Sequence, residues 1–129
     1  MRYSELDAVN FLKGFTMKQY GRDCFIYNEP TDEDIGRARH GLEECAKILS
    51  SGKYDIVVLD EINIALYYKL FTVDEVIKML KGRAPGVEVI LTGRNAPDEI
   101  IEMADLVTEM KEIKHYYTKG VEARTGIEC

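Results

Sequence analysis

Tyr54-Asp55-Ile56-Val57-Val58-Leu59-Asp60-Glu61 is the stretch whose reading decides the fold. Four consecutive apolar residues, Ile56 to Leu59, run straight into two adjacent carboxylates. An apolar run without alternation suits a strand covered on both faces, as in a parallel α/β sheet. Acids at the carboxyl end of such a strand stand where open α/β sheets place their ligands. A carboxylate there can hold Mg²⁺ beside nucleotide phosphates, the Walker B arrangement. The plainer alternative is that strands end in acids because loops are polar. The stretch alone leaves both open.

Working outward, helices and strands alternate. On the amino-terminal side Thr31 is a good N-cap, preceded by Pro30 and followed by Asp32, Glu33 and Asp34 in the first turn. Ile35, Ala38, Leu42, Cys45, Ala46 and Leu49 recur at helical spacing, and Gly52 stands where a left-handed residue closes a helix. His40 falls off that stripe and reads as a surface residue. On the carboxyl side, Ile62 to Leu70 reads as helix or turn-and-helix. Thr72 and Glu75 then form a capping box for a helix with Val73, Val76, Ile77 and Leu80 inward. Gly82 and the Ala84-Pro85-Gly86 turn end it, and Val87 to Leu91 is a further strand, running into Thr92-Gly93-Arg94. A helix comes next with Pro97 at its first position and Ile100, Ile101 and Ala104 inward.

At the two ends the pattern is shorter. Ala8 to Leu12 reads as a short strand ending at Lys13-Gly14, and Asp105 to Met110 as a half-alternating last strand. Phe15 to Asn28 has no clear period but carries Phe15, Tyr20, Phe25 and Tyr27, with Cys24 to Tyr27 open to a strand reading. Such aromatics either fold back onto the core or make a flat apolar wall for a ligand. The alternation predicts one α/β domain over residues 1–129, a parallel sheet flanked by helices.

Composition narrows the function. A chain of 129 residues makes one domain that buries roughly two-thirds of its unfolded surface. The net charge of −6 speaks against nucleic acid as a partner, since phosphate binding wants a basic patch. No apolar stretch is long enough for a membrane span, and no signal-peptide pattern opens the chain, so the cytosol is the expected location. Cys24, Cys45 and Cys129 form no CxxC pair, which fits reduced thiols, and His40 and His115 are too few for a histidine-rich metal site.

Lys13-Gly14, Asp60-Glu61 and Thr92-Gly93-Arg94 all fall at the carboxyl ends of expected strands. A parallel sheet brings such ends to one rim, where an acid, a metal and a guanidinium can face one anion. Alternatively, Arg94 is an exposed loop cation or the partner of a nearby acid. A phosphate-binding GxxxxGK[ST] loop is not among these residues: the one Gly-Lys pair, Gly52-Lys53, is followed by Tyr54 and has Lys47 where the first Gly belongs.

VNFLKG at 9–14, YDIVVLDEIN at 54–63, VILTGRNAP at 89–97 and ADLVTEMKEIKH at 104–115 carry a specific likeness. The tail adds Gly120, Ala123 and Gly126-Ile127-Glu128 in matching order. From about Ala8 to Cys129 the chain resembles the P-loop-type ATP:corrinoid adenosyltransferases (the cob(I)yrinic acid a,c-diamide adenosyltransferase family). The resemblance implies transfer of the adenosyl group of ATP to the cobalt of a reduced corrinoid, with release of triphosphate. It implies that Asp60 and Glu61 act at the catalytic centre, with Glu61 holding Mg²⁺ on the triphosphate. It also implies that Arg94 contacts the phosphate side of the nucleotide, and Lys13, Thr92 and Gly93, on the same expected rim, are the further candidate nucleotide-binding residues.

The family's corrinoid-facing aromatic pair is matched nearest by Phe25 and Tyr27, with Tyr in place of Trp and extra residues after Gly21. Aromatics there would keep water and a lower ligand off the cobalt. Family members carry a strand, a GxGKGKTT-like P-loop and a first helix ahead of the VNFLKG-like strand. The implied fold is therefore a P-loop NTPase (RecA-like) fold truncated at the N-terminus. Its unpaired sheet edge calls for cover, and a homo-oligomer, a dimer, is the expected cover.

Overall fold

The computed structural model describes residues 4–21, 29–124 and 127. The chain divides into two compact units, one drawn from Met1–Gln19, Asp23–Phe25 and Val107–Cys129, the other from Tyr20–Arg22 and Ile26–Leu106.

The first unit opens with a short helix, α1 (Ser4–Ala8), followed by a 3-10 turn over Val9–Phe11. The strand expected over Ala8 to Leu12 is thus helical. Asn10 turns its side-chain amide back onto the carbonyls of Leu6 and Asp7, at 3.4 and 3.2 Å. That local bond favours a turn over an extended ladder. The other element of this unit is a 3-10 turn, Tyr116–Lys119, capped by His115, whose Nδ1 accepts from Tyr117 N at 3.0 Å. Arg124 stacks over the Tyr116 ring, 5.3 Å from its centroid. None of this unit's described residues is buried. The strand expected over Asp105 to Met110 is not formed; Leu106, Val107 and Met110 are exposed and irregular.

The second unit contains the core. Helix α2 spans Asp32–Ser51 and begins with Thr31, whose side chain accepts from Asp34 N at 3.3 Å while Asp34 Oδ2 accepts from Thr31 N at 2.9 Å. Gly52 ends it in the left-handed region at φ 63°. Strand β1 is Ile56–Leu59, helix α3 Ile62–Tyr67, helix α4 Val73–Lys81, strand β2 Glu88–Leu91 and helix α5 Asp98–Met103. The expected Thr72–Glu75 capping box opens α4. Pro97 sits one place earlier than expected, as the N-cap of α5.

β1 and β2 pair in parallel, with Ile56 opposite Glu88 and Leu59 opposite Leu91. Leu49 of α2 and Val76 of α4 are fully buried, and Leu59, Ile62, Leu66, Leu80 and Ile100 close around them. Burying each of the two largest is worth roughly 1.5–3 kcal/mol. Of the residues expected inward on α5, only Ile100 is buried; Ile101 and Ala104 are exposed. The sheet also departs from expectation. One face, Val57, Leu59, Val89 and Leu91, packs against the core, while the other exposes Ile56 at 57%, Val58 at 52% and Ile90 at 48%. The strands are thus covered on one face where both were expected. Among the described residues no helix is long and apolar enough to cross a membrane.

Candidate functional site

The two parallel strands end side by side, and the turns that leave them are bonded to each other. Thr92 N donates to Leu59 O at 3.2 Å, carrying the ladder one step past the sheet. Thr92 Oγ1 then donates to Asp60 Oδ1 at 2.6 Å and accepts from Glu61 N at 2.9 Å. One hydroxyl, used in both directions, fixes the acid pair. Glu61 itself adopts the left-handed conformation, φ 57°, as the chain turns into α3. Of the three described non-glycine residues at positive φ, Glu61 and Asn95 flank this corner. Left-handed backbone at a non-glycine costs about 1–2 kcal/mol and gathers where surrounding structure holds it for function.

Gly93 fits between the turn of β1 and the start of α3. Its φ is +112°, and a Cβ there would stand 3.1 Å from Glu61 Oε2, 3.2 Å from Asn63 Cβ and 3.3 Å from Glu61 Cα. A Cβ this close would push its neighbours aside by a few tenths of an ångström, and the positive φ strains any other residue. Asn63 closes the corner from below: its backbone N donates to Thr92 O and its Nδ2 to Gly93 O, each at 3.2 Å. Among the described residues the Glu61 carboxylate and the Arg94 guanidinium make no hydrogen bond or ion pair, and both residues are exposed.

Of the residues singled out in the sequence, Asp60, Glu61, Thr92, Gly93 and Arg94 therefore share one corner. Lys13 lies in the other unit, after the 3-10 turn and not at a strand end, so the ground on which it was grouped with them falls away. Phe25 and Tyr27 lie outside the described residues, as do Cys24, Gly126 and Cys129. Asn63 was not singled out. Its signal was a lone amide inside the apolar INIAL run that opens α3.

The described residues contain no group of three or more His, Cys, Asp or Glu side chains arranged for a metal. Asp60 and Glu61 nevertheless suit Mg²⁺, which keeps several waters and takes one or two carboxylates together with substrate phosphates. Asp60 has one carboxylate oxygen committed to Thr92, and the Glu61 carboxylate is uncommitted.

A family model described as ATP:corrinoid adenosyltransferase BtuR/CobO/CobP matches residues 1–129. A corrinoid adenosyltransferase of Sinorhizobium sp is 38% identical over 139 residues, an alignment covering 94% of this chain and 65% of that protein. A corrinoid adenosyltransferase of Pseudomonas aeruginosa is 38% identical over 95 residues, 74% of this chain and 47% of its own. An uncharacterized protein of a Nostoc species is 43% identical over 107 residues, 82% of this chain and 28% of its own. The chain thus spans less than two-thirds of the length of each of these relatives.

Proposed function

The chain belongs to the ATP:corrinoid adenosyltransferase family, and from that premise we propose that it serves transfer of the adenosyl group of ATP to the cobalt of a reduced corrinoid. In that reaction a cobalt–carbon bond forms as the carbon–oxygen bond to triphosphate breaks, and the bonding pair leaves on the triphosphate. The protein's task is to hold the nucleotide in line and to stabilise the charge collecting on the leaving group.

What supports this reading is the corner at the carboxyl ends of β1 and β2, where Thr92 ties Asp60 and Glu61 to the turn that carries Arg94. Asp60 and Glu61 would hold Mg²⁺, which when bound neutralises triphosphate charge. Arg94 supplies a planar, permanently charged donor to the phosphates, and Thr92 and Gly93 shape the turn from which it projects. Phe25 and Tyr27 are the residues that the resemblance assigns to the corrinoid.

The two-stranded parallel sheet would then be part of a P-loop NTPase (RecA-like) fold, with β1 as its Walker B strand. We place the chain's work in the cytosol. The exposed face of Ile56, Val58 and Ile90 and the unpaired sheet edge favour a homodimer that covers them. Sedimentation analysis tests that assembly, and a monomer at every concentration excludes it.

The deciding test of function is an anaerobic assay of the chain with reduced cobalamin and MgATP, following the cobalt–carbon product by its absorbance. Product formation is expected. A folded chain that binds neither substrate and forms no product with both in excess overturns the proposal.

A further inference from the structure

Asn63 is the buried polar side chain of the described core, 5% exposed, and its backbone and side-chain amide both donate to one turn. Its backbone N–H and its Nδ2 reach two successive carbonyls, Thr92 O and Gly93 O. Both carbonyls are thereby drawn toward the first turn of α3. The peptide bonds here are trans, so the N–H on the far side of each carbonyl carbon points the opposite way. Those are the N–H groups of Gly93 and Arg94. Neither makes a hydrogen bond among the described residues, and both residues are exposed. Asn63 also leaves its Oδ1 buried without a partner, which makes it a poor core residue on packing grounds alone.

We propose that Asn63 is a positioning residue: it turns the Gly93 and Arg94 N–H groups outward so that, with the Arg94 guanidinium, they form a cradle for a magnesium-complexed polyphosphate. Successive N–H groups presented on one side of a turn are a common anion site, since each contributes a fixed partial positive charge. The Asp60 and Glu61 carboxylates on the same corner repel a bare anion, which is why the ligand is the magnesium complex. The cradle deepens the nucleotide-binding role proposed for this corner and rests on it. It assigns backbone donors to the phosphates beside the acid pair.

The test uses the full chain, labelled with ¹⁵N and titrated with magnesium tripolyphosphate, alongside MgATP and adenosine binding. In the parent chain the Gly93 and Arg94 amide resonances are expected to move on titration. In Asn63→Ala those movements are lost and MgATP binds roughly tenfold more weakly, the worth of about one hydrogen bond, while adenosine affinity stays unchanged. Where Asn63→Ala does not fold, Asn63→Asp keeps the size and cannot donate to Gly93 O when ionised; the same losses are expected. If MgATP binds and Arg94→Ala weakens it, but the two amides do not move in the parent, the cradle is overturned and the nucleotide reading stands. Equal weakening of ATP and adenosine in the Asn63 variants reduces the residue to a structural one and overturns the proposal. Absence of any MgATP binding by the parent overturns both.

Discussion

Thr92 Oγ1 donates to Asp60 Oδ1 at 2.6 Å across a separation of 32 residues. The bond is short because its acceptor is charged, and such bonds are about twice as strong as neutral ones. The same oxygen accepts the Glu61 N–H at 2.9 Å, so one hydroxyl determines where both acids stand relative to the β2 exit. The acid pair is therefore built by the sheet: the parallel pairing that sets Leu59 opposite Leu91 also brings Thr92 beside Asp60.

Replacing Thr92 with Val keeps the shape and removes both bonds. The Glu61 N–H and one Asp60 oxygen lose their partner, and the expected loss is about 1–3 kcal/mol of stability. Thr92→Ser restores most of it. The urea midpoint reports the change; a Val variant with the parent's midpoint and slope would reduce the hydroxyl to a surface ornament.

Gly93 and Gly86 separate strain from crowding. Both sit at positive φ, +112° and +86°, but a Cβ at Gly86 meets open space while one at Gly93 meets Glu61 and Asn63 within 3.3 Å. Gly86→Ala should therefore cost only the left-handed penalty, about 1–2 kcal/mol. Gly93→Ala should cost more and displace the turn that carries Arg94. Thermal denaturation of the two variants compares them directly, and equal losses would mean that the corner yields without resistance.

Glu61→Gln removes one charge and little volume. With Mg²⁺ on this carboxylate, MgATP affinity should fall roughly tenfold or more, the worth of a charged contact, with corrinoid affinity unmoved. Titration calorimetry with MgATP measures it. An unchanged affinity assigns Glu61 a structural role, as the left-handed residue that starts α3.

How much of this was legible in the sequence depends on how local the cause was. The strands expected over Ile56 to Leu59 and Val87 to Leu91 read correctly, as Ile56–Leu59 and Glu88–Leu91, because short segments rich in Val and Ile between turn residues have few other uses. Thr31, Thr72 and Gly52 read correctly because capping is decided within one turn of helix. Ala8 to Leu12 misled, since two apolar residues around a polar one fit a strand or a turn equally, and the Asn10 amide decided for the turn. Asp105 to Met110 has strand-like alternation, but a strand exists only beside a partner edge, which sequence does not display. Within the site, Asp60, Glu61, Thr92, Gly93 and Arg94 were legible as strand-end residues. Asn63 was not, because its importance lies in two carbonyls 29 and 30 residues downstream that only the fold brings to it.

The Thr72–Glu75 box makes a prediction with a definite sign. Glu75 Oε2 accepts from the Thr72 N–H at 2.7 Å and from its hydroxyl at 2.9 Å. Those bonds, chiefly the one from the backbone, hold the Glu75 carboxyl below its usual range, with Arg39 at 3.7 Å adding a smaller pull and partial burial opposing. A carboxyl lowered in the folded state releases its proton more readily there than in the unfolded chain. Its contribution to stability is complete above the unfolded chain's glutamate range, declines as pH falls through the lowered folded value, and is absent below it. At neutral pH, Thr72→Ala should cost about 1 kcal/mol, the ordinary worth of an N-cap. Glu75→Gln should cost less at neutral pH, and its deficit against the parent should shrink toward zero as the solution is acidified. Urea unfolding of both chains from neutral to acid pH tests this. A deficit that stays constant across the series would mean that the amide is replacing packing at the start of α4, and that the charge on Glu75 contributes nothing to the cap.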